Sequence, residues 1–271
     1  MTTPLYTLPA HAFRWHTAGA FHGLCMHADQ GNYDDRGFRI RGGQPTRLDA
    51  FVDAAFAFAV TLLVIAIGHV PTSVQELEQA MRGVPAFAAS FFVIARFWKA
   101  HRDWSRRYGI EDAFSVRLSL LLVFVTLVYV YPLRMVAAML FGMLSGGFLS
   151  EQRLDFGSID ELRALYVIFA VGYAVTVTTL ALLHWHALRL ADALDLSRRE
   201  RALTRTAVLR YLLFLGVALL SLLLALTLPM SNAQPIYYSV PGMAYALIYV
   251  IRLIVLRRER AELAMLGAAA A

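Results

Sequence analysis

Residues 54–68 carry no charge, and the run sits directly behind Arg47, Asp49 and Asp53. A helix of about 20 apolar residues is what crosses a bilayer core, so 48–67 is a first candidate span. Within hydrocarbon every backbone amide must be bonded inside the protein, which leaves helices or closed barrels. The remaining apolar runs are long and continuous, unlike the short alternating segments of a barrel. They predict further spans at 84–101, 113–131, 162–188, 211–228 and 236–256. The fold class expected is all-α, a polytopic membrane protein with six transmembrane helices.

Composition agrees with this. The chain is 59% hydrophobic and only 16% charged, with mean hydropathy +0.56, whereas a soluble domain has about 45–50% apolar and about 25% charged residues. The single Cys25 permits no intrachain disulfide and no cysteine cluster for a metal. The net charge of +6 does not point to nucleic acid, because the basic residues lie at the ends of apolar runs, where they set membrane orientation. With six spans, all of the 25 Lys and Arg except Arg82, Arg134, Arg153 and Arg163 fall on the side that carries both termini. That side is expected to be cytoplasmic, in a bacterial inner membrane.

Around the spans, residues 1–46 read as a solvated cytoplasmic tail without a secretory signal. Its histidines, His11, His16, His22 and His27, have a spacing that fits no structural zinc pattern, so no metal is expected there. Residues 71–82 read as a loop, and 189–210 as a strongly basic connection. The Gly-rich stretch after Pro132 either extends the third helix past a kink or folds as a re-entrant piece. The membrane domain is expected over 47–260, followed by an Ala-rich tail at 261–271. The chain shows no strong internal repeat.

Polar residues near span ends are the candidates for function. Arg47 and Phe51 lie one turn apart at the start of the first span, and Asp53 lies just inside it. A carboxylate at that depth needs a partner. Trp98 and His101 end the second span on the same side, and antiparallel packing would bring His101 close to Asp53, with Trp98 over the cluster. The expectation is therefore a polar network of Arg47, Phe51, Asp53, Trp98 and His101. His184 and His186 are two residues apart on a helix and point to different faces, which makes them poor joint metal ligands. Trp185 reads as an anchor at headgroup depth.

These residues carry a family resemblance. The segment RLDAFVD at 47–53 resembles the R-x-x-x-F-S-D signature of the transmembrane protein 175 family of potassium channels, with Val52 in place of the serine. The Trp98-x-x-His101 spacing is similar to a second motif of that family. Asp112 stands at the family's acid position, Ser119 stands where an asparagine is expected, and Tyr131-Pro132 ends the helix two residues late. The resemblance covers 47–132.

It implies a homotetramer in which the first helix of each subunit lines the pore. Matched along the motif, the narrow region falls on Phe58, Thr61 and Ile65. From spacing alone, Ala54, Phe58, Thr61, Ile65 and Gly68 form one helical stripe, which an ordinary packing face would also show, with Thr61 bonded back to a carbonyl. A potassium-preferring cation channel with a hydrophobic constriction is the function implied, with potassium ions and membrane lipids as partners and no cofactor. Val52 and the bulky Phe58 keep open a non-conducting or altered-selectivity relative on the same scaffold. A secondary transporter is the other alternative, although six unrepeated spans lack its paired broken helices. No span carries H-E-x-x-H, G-x-S-x-G or an acidic pair, so an enzyme is not expected.

Overall fold

The computed structural model describes residues 33–34, 36–65, 70–149, 158–228 and 236–268, excluding the side chains of 236–238 and 260–268. The chain divides into two units, Met1–Arg39 and Ile40–Ala271. In the first, Asp34 accepts the amides of Arg36 and Phe38 at 2.9 Å, and Gly37 adopts φ 71° in the turn between the bridged Tyr33 and Arg39. The four tail histidines lie outside the described residues.

The second unit is helical: α1 (Arg47–Ile65), α2 (Val74–Arg82), α3 (Val84–Tyr108), α4 (Ala113–Leu144), α5 (Ile159–Arg189), α6 (Arg198–Thr227), α7 (Ile236–Met243), a 3₁₀ turn (Ala244–Ala246) and α8 (Leu247–Ala268). Among the described residues, five helical stretches are long and apolar enough to cross a membrane. A sixth span is reached when α2 and α3, bent by 47° at their junction, are taken together. Five of the expected spans overlap one helix each; the sixth, 236–256, runs through α7, the 3₁₀ turn and the start of α8.

The helix starts are written in short polar residues. Thr46 and Asp49 cap each other at the start of α1; Ser73, Asp112, Ser158 and Ser197 cap α2, α4, α5 and α6. At α6 the exchange is reciprocal, a capping box with Glu200, which satisfies two otherwise unbonded amides. This box explains one departure from expectation: α6 begins at Arg198, well before the apolar run, so the basic connection is largely helix. Likewise 71–82 is not all loop, because Ser73 and Glu76 nucleate α2 from good helix formers. Pro132 does not end α4, which runs on to Leu144. Only one amide is lost there, and a helix in apolar surroundings keeps the rest of its bonds.

Neighbour relations follow a chain. α1 packs on α3 and α4; α4 packs on α5; α5 and α6 form the most extensive pair; α8 lies on α6. The close approach of α4 and α5 depends on Gly172, where an added Cβ would lie 2.5 Å from the Tyr129 ring. That ring belongs to an aromatic cluster with Phe97, Phe169, Tyr173 and Tyr245 linking α3, α4, α5 and the 3₁₀ turn.

Candidate pore helix and its polar anchor

α1 has two faces of different character. Val52, Phe56, Ala59 and Leu63 recur at helical spacing and are buried against the rest of the subunit. Ala54, Phe58, Thr61 and Ile65 lie on another stripe and are exposed, Phe58 by 54% and Ile65 by 60%. The Thr61 hydroxyl donates to the Ala57 carbonyl at 3.2 Å, which keeps its oxygen on the exposed face while satisfying its proton. Gly68 lies outside the described residues. Val52 is 1% exposed, so the valine at the motif's serine position is a core residue.

The foot of α1 is tied to α3. The Trp98 indole N–H donates to Asp53 Oδ1 at 2.7 Å, and the Arg102 guanidinium lies 5.3 Å over the Trp98 ring. His101 is not bonded to Asp53. Its Nε2 lies 2.9 Å from the Ser119 hydroxyl of α4, and His101 and Asp53 instead line a common cavity of about 310 Å³ with Asp49, Arg102 and Arg106. Arg47 and Phe51 remain outside this network: both are exposed, and neither bonds, pairs or stacks with another described residue. Of the five residues expected to converge, the structure therefore joins two directly and places a third beside them.

The remainder of the anchor went unread in the sequence. Trp98, His101, Trp104 and Tyr108 recur every three or four residues, on one face of α3. Trp104 donates to the Leu183 carbonyl of α5 at 3.0 Å, and the Tyr108 hydroxyl meets Thr204 of α6 at 2.8 Å. One helical face thus binds four other helices in turn: α1, α4, α5 and α6. The W-x-x-H-x-x-W-x-x-x-Y spacing was the signal that would have found it.

Two further polar ties lie nearby. Asp112 accepts the Ser115 amide at 2.8 Å as the cap of α4, and its other oxygen pairs with His186 of α5. Partial burial alone would raise this carboxyl, but Ser115 and the His186 imidazole outweigh burial and hold it below its ordinary value. His184 points elsewhere, buried with Nδ1 on the Leu180 carbonyl, so the two histidines do diverge. Arg41, ahead of α1, forms a two-pronged pair with Glu200 at 2.9 and 3.1 Å and donates to the Leu194 carbonyl at 2.9 Å. The Arg41 and Gly42 amides both donate to the Arg106 carbonyl. Gly42 permits this approach, since a Cβ there would lie 2.7 Å from the Ser105 carbonyl oxygen. Among the described residues, no three His, Cys, Asp or Glu are placed to hold a metal ion.

Comparison with known proteins places this arrangement. Residues 47–130 match the family described as the endosomal/lysosomal potassium channel TMEM175. A protein of Marivirga tractuosa named "Potassium channel" is 35% identical over 225 residues, covering 82% of this chain and 90% of its own. The chain belongs to the TMEM175 family. The crystal structure of a variant of the potassium channel MtTMEM175, bound to a nanobody–MBP fusion, superposes with a TM-score of 0.70 at 32% identity, covering 85% of this chain and all of that one. TMEM175 proteins are ion channels, not enzymes. The match ends at residue 130, close to the limit of the motifs at 132, and includes both sides of the Asp53–Trp98 bond.

Proposed function

We propose that the chain is one subunit of a potassium-preferring cation channel in which four copies of α1 surround the pore. The observation that carries this reading is the division of α1: one stripe is used inside the subunit, and Phe58, Thr61 and Ile65 are left on the other. Both named relatives are potassium channels, and the chain has no T-V-G-Y-G segment of the carbonyl-filter type.

The mechanism is selection by dehydration. Rings of Phe58 and Ile65 would form apolar constrictions, which gate by dewetting and favour the ion that sheds water more cheaply. Potassium is that ion in comparison with sodium. The Thr61 oxygens between the two rings offer the partly dehydrated cation a weak ligand, and weak binding permits release. The Asp53–Trp98 bond fixes the foot of each pore helix to α3 and so sets the rotation of the stripe. The positive bias of the two ends supports cytoplasmic termini in a bacterial inner membrane.

A second reading draws on Phe58, whose ring is large enough for four copies to occlude an axis. One experiment separates the two. Full-length protein in liposomes should pass potassium faster than sodium, and Phe58→Ala should raise flux and reduce the discrimination. Absence of flux in both proteins favours the non-conducting relative. Flux with unchanged selectivity in the variant removes Phe58 from the constriction.

A further inference from the structure

The anchor and pore helix leave unused a cluster of arginines where α5 ends and α6 begins. At the junction of α5, α6 and α8, most of the acidic groups are consumed. Glu200 pairs with Arg41, Asp192 with Arg201 at 2.6 Å, and Glu259 is buried. Asp195 alone stands outside a pair in the connection. Six exposed arginines (Arg189, Arg198, Arg199, Arg205, Arg257 and Arg258) form no ion pair with a described residue. The Arg189 guanidinium lies 4.8 Å over the ring of Trp185, which is 40% exposed.

Their position on the helices decides what they face. On α6, Arg198 and Arg205 are two turns apart, and the same stripe continues through the exposed Leu209, Leu212, Leu219 and Leu223. On α8, the exposed Val250 and Ile254 lead to Arg257 and Arg258 in the same way. A long apolar stripe ending in unpaired guanidinium groups matches a bilayer, with acyl chains along the stripe and headgroups at its end. Within the subunit, α1 touches α3 and α4, while α6 and α8 lie at the other end of the packing order. With α1 at the pore axis, α6 and α8 therefore form the periphery of the assembly.

We infer that this end of α5, α6 and α8 is a binding surface for the phosphate headgroups of anionic membrane lipids. The inference rests on the proposed placement of α1. The cation–π pair of Arg189 and Trp185 marks the headgroup plane, where amphipathic rings settle. Arg257 and Arg258 close the patch across the α6–α8 contact. A guanidinium recognises a phosphate through two parallel N–H bonds.

The test measures lipid retention, independently of ion flux. Full-length protein is placed in nanodiscs of phosphatidylcholine, alone or with an equal share of phosphatidylglycerol, and co-purifying lipid is counted by native mass spectrometry. Wild type should enrich phosphatidylglycerol, and high salt should reduce that enrichment. Each arginine near a headgroup layer is worth about fivefold in binding. The combined R198Q/R205Q/R257Q/R258Q variant should therefore lose at least about tenfold of the preference, while R82Q/R163Q at the other end retains it. Equal retention of both lipids by wild type overturns the inference, as does a preference insensitive to salt or unchanged in the fourfold variant. Loss of the oligomer in that variant also overturns it, since the arginines would then be a subunit contact. If the fourfold variant does not fold, the wild-type lipid and salt comparisons still decide. A protein that enriches phosphatidylglycerol without passing potassium would count against the channel reading alone.

Discussion

Trp98 Nε1 and Asp53 Oδ1 are 2.7 Å apart and 45 residues apart in the chain. One contact joins the start of the first span to the end of the second and leaves the neighbouring His101 to a different partner. Asp53 is exposed and also lines the cavity, so this is a directional tie at the surface rather than a buried one.

Removing the donor by Trp98→Phe should cost about 1–2 kcal/mol, the range for a bond to a charged group discounted for exposure. Asp53→Asn keeps the acceptor oxygen and should cost less than Asp53→Ala. Thermal unfolding in detergent gives the order, and a double-variant cycle gives the coupling. Zero coupling between positions 53 and 98 would show that the bond does not hold the pore helix. His101→Ala should be worse than Asp53→Asn, because it leaves the fully buried Ser119 hydroxyl without its partner.

Val52→Ser restores the family motif but places a hydroxyl where valine is 1% exposed. The serine can bond back to the Leu48 carbonyl four residues earlier, as Ser90 does to Ala86. The variant is expected to fold and assemble with a loss of about 1–2 kcal/mol from the missing methyl contacts. A gain in melting temperature would mean that serine finds a better partner than its own helix.

Arg41→Met takes the guanidinium away from Glu200, which is 3% exposed and keeps the Ser197 amide. Breaking a buried pair on one side costs about 3–5 kcal/mol, while replacing both partners by apolar groups is often neutral. Arg41→Met should therefore lower stability strongly, and the Arg41→Met/Glu200→Met pair should recover part of the loss, less the cost of the capping-box bond to Ser197. Recovery is the informative measurement, because a merely local role for Arg41 predicts two additive losses.

Asp112 gives a pH signature. Its carboxyl lies below the ordinary value despite the upward push of partial burial, through Ser115 and His186. A folded-state value below the unfolded one of about 3.9 means that the stabilisation is present above about pH 4. It disappears as pH falls through the lower folded value. Asp112→Asn keeps a good helix cap but removes the titrating charge. Its melting temperature should lie below wild type near neutral pH and converge with it in acid. Parallel profiles would exclude Asp112 as a source of acid sensitivity.

The sequence by itself determined the membrane class, the helix positions and the family, since each depends on local quantities: the length of apolar runs, their flanking charges, and two motifs within single helices. It also put Asp53 and Trp98 in one cluster, but with His101 as the neighbour expected at Asp53. Tertiary structure decided the rest. Arg47 turned away, His101 chose Ser119, His186 found Asp112 across 74 residues, and Arg41 reached Glu200 across 159. Such partnerships depend on how α3, α4, α5 and α6 rotate about their own axes when their apolar faces pack, and hydrophobic burial does not specify a hydrogen-bond partner. The boundaries of α4 and α6 moved for a related reason. A proline costs a helix one amide, and a capping box can start a helix outside the apolar run, neither of which a hydropathy pattern records.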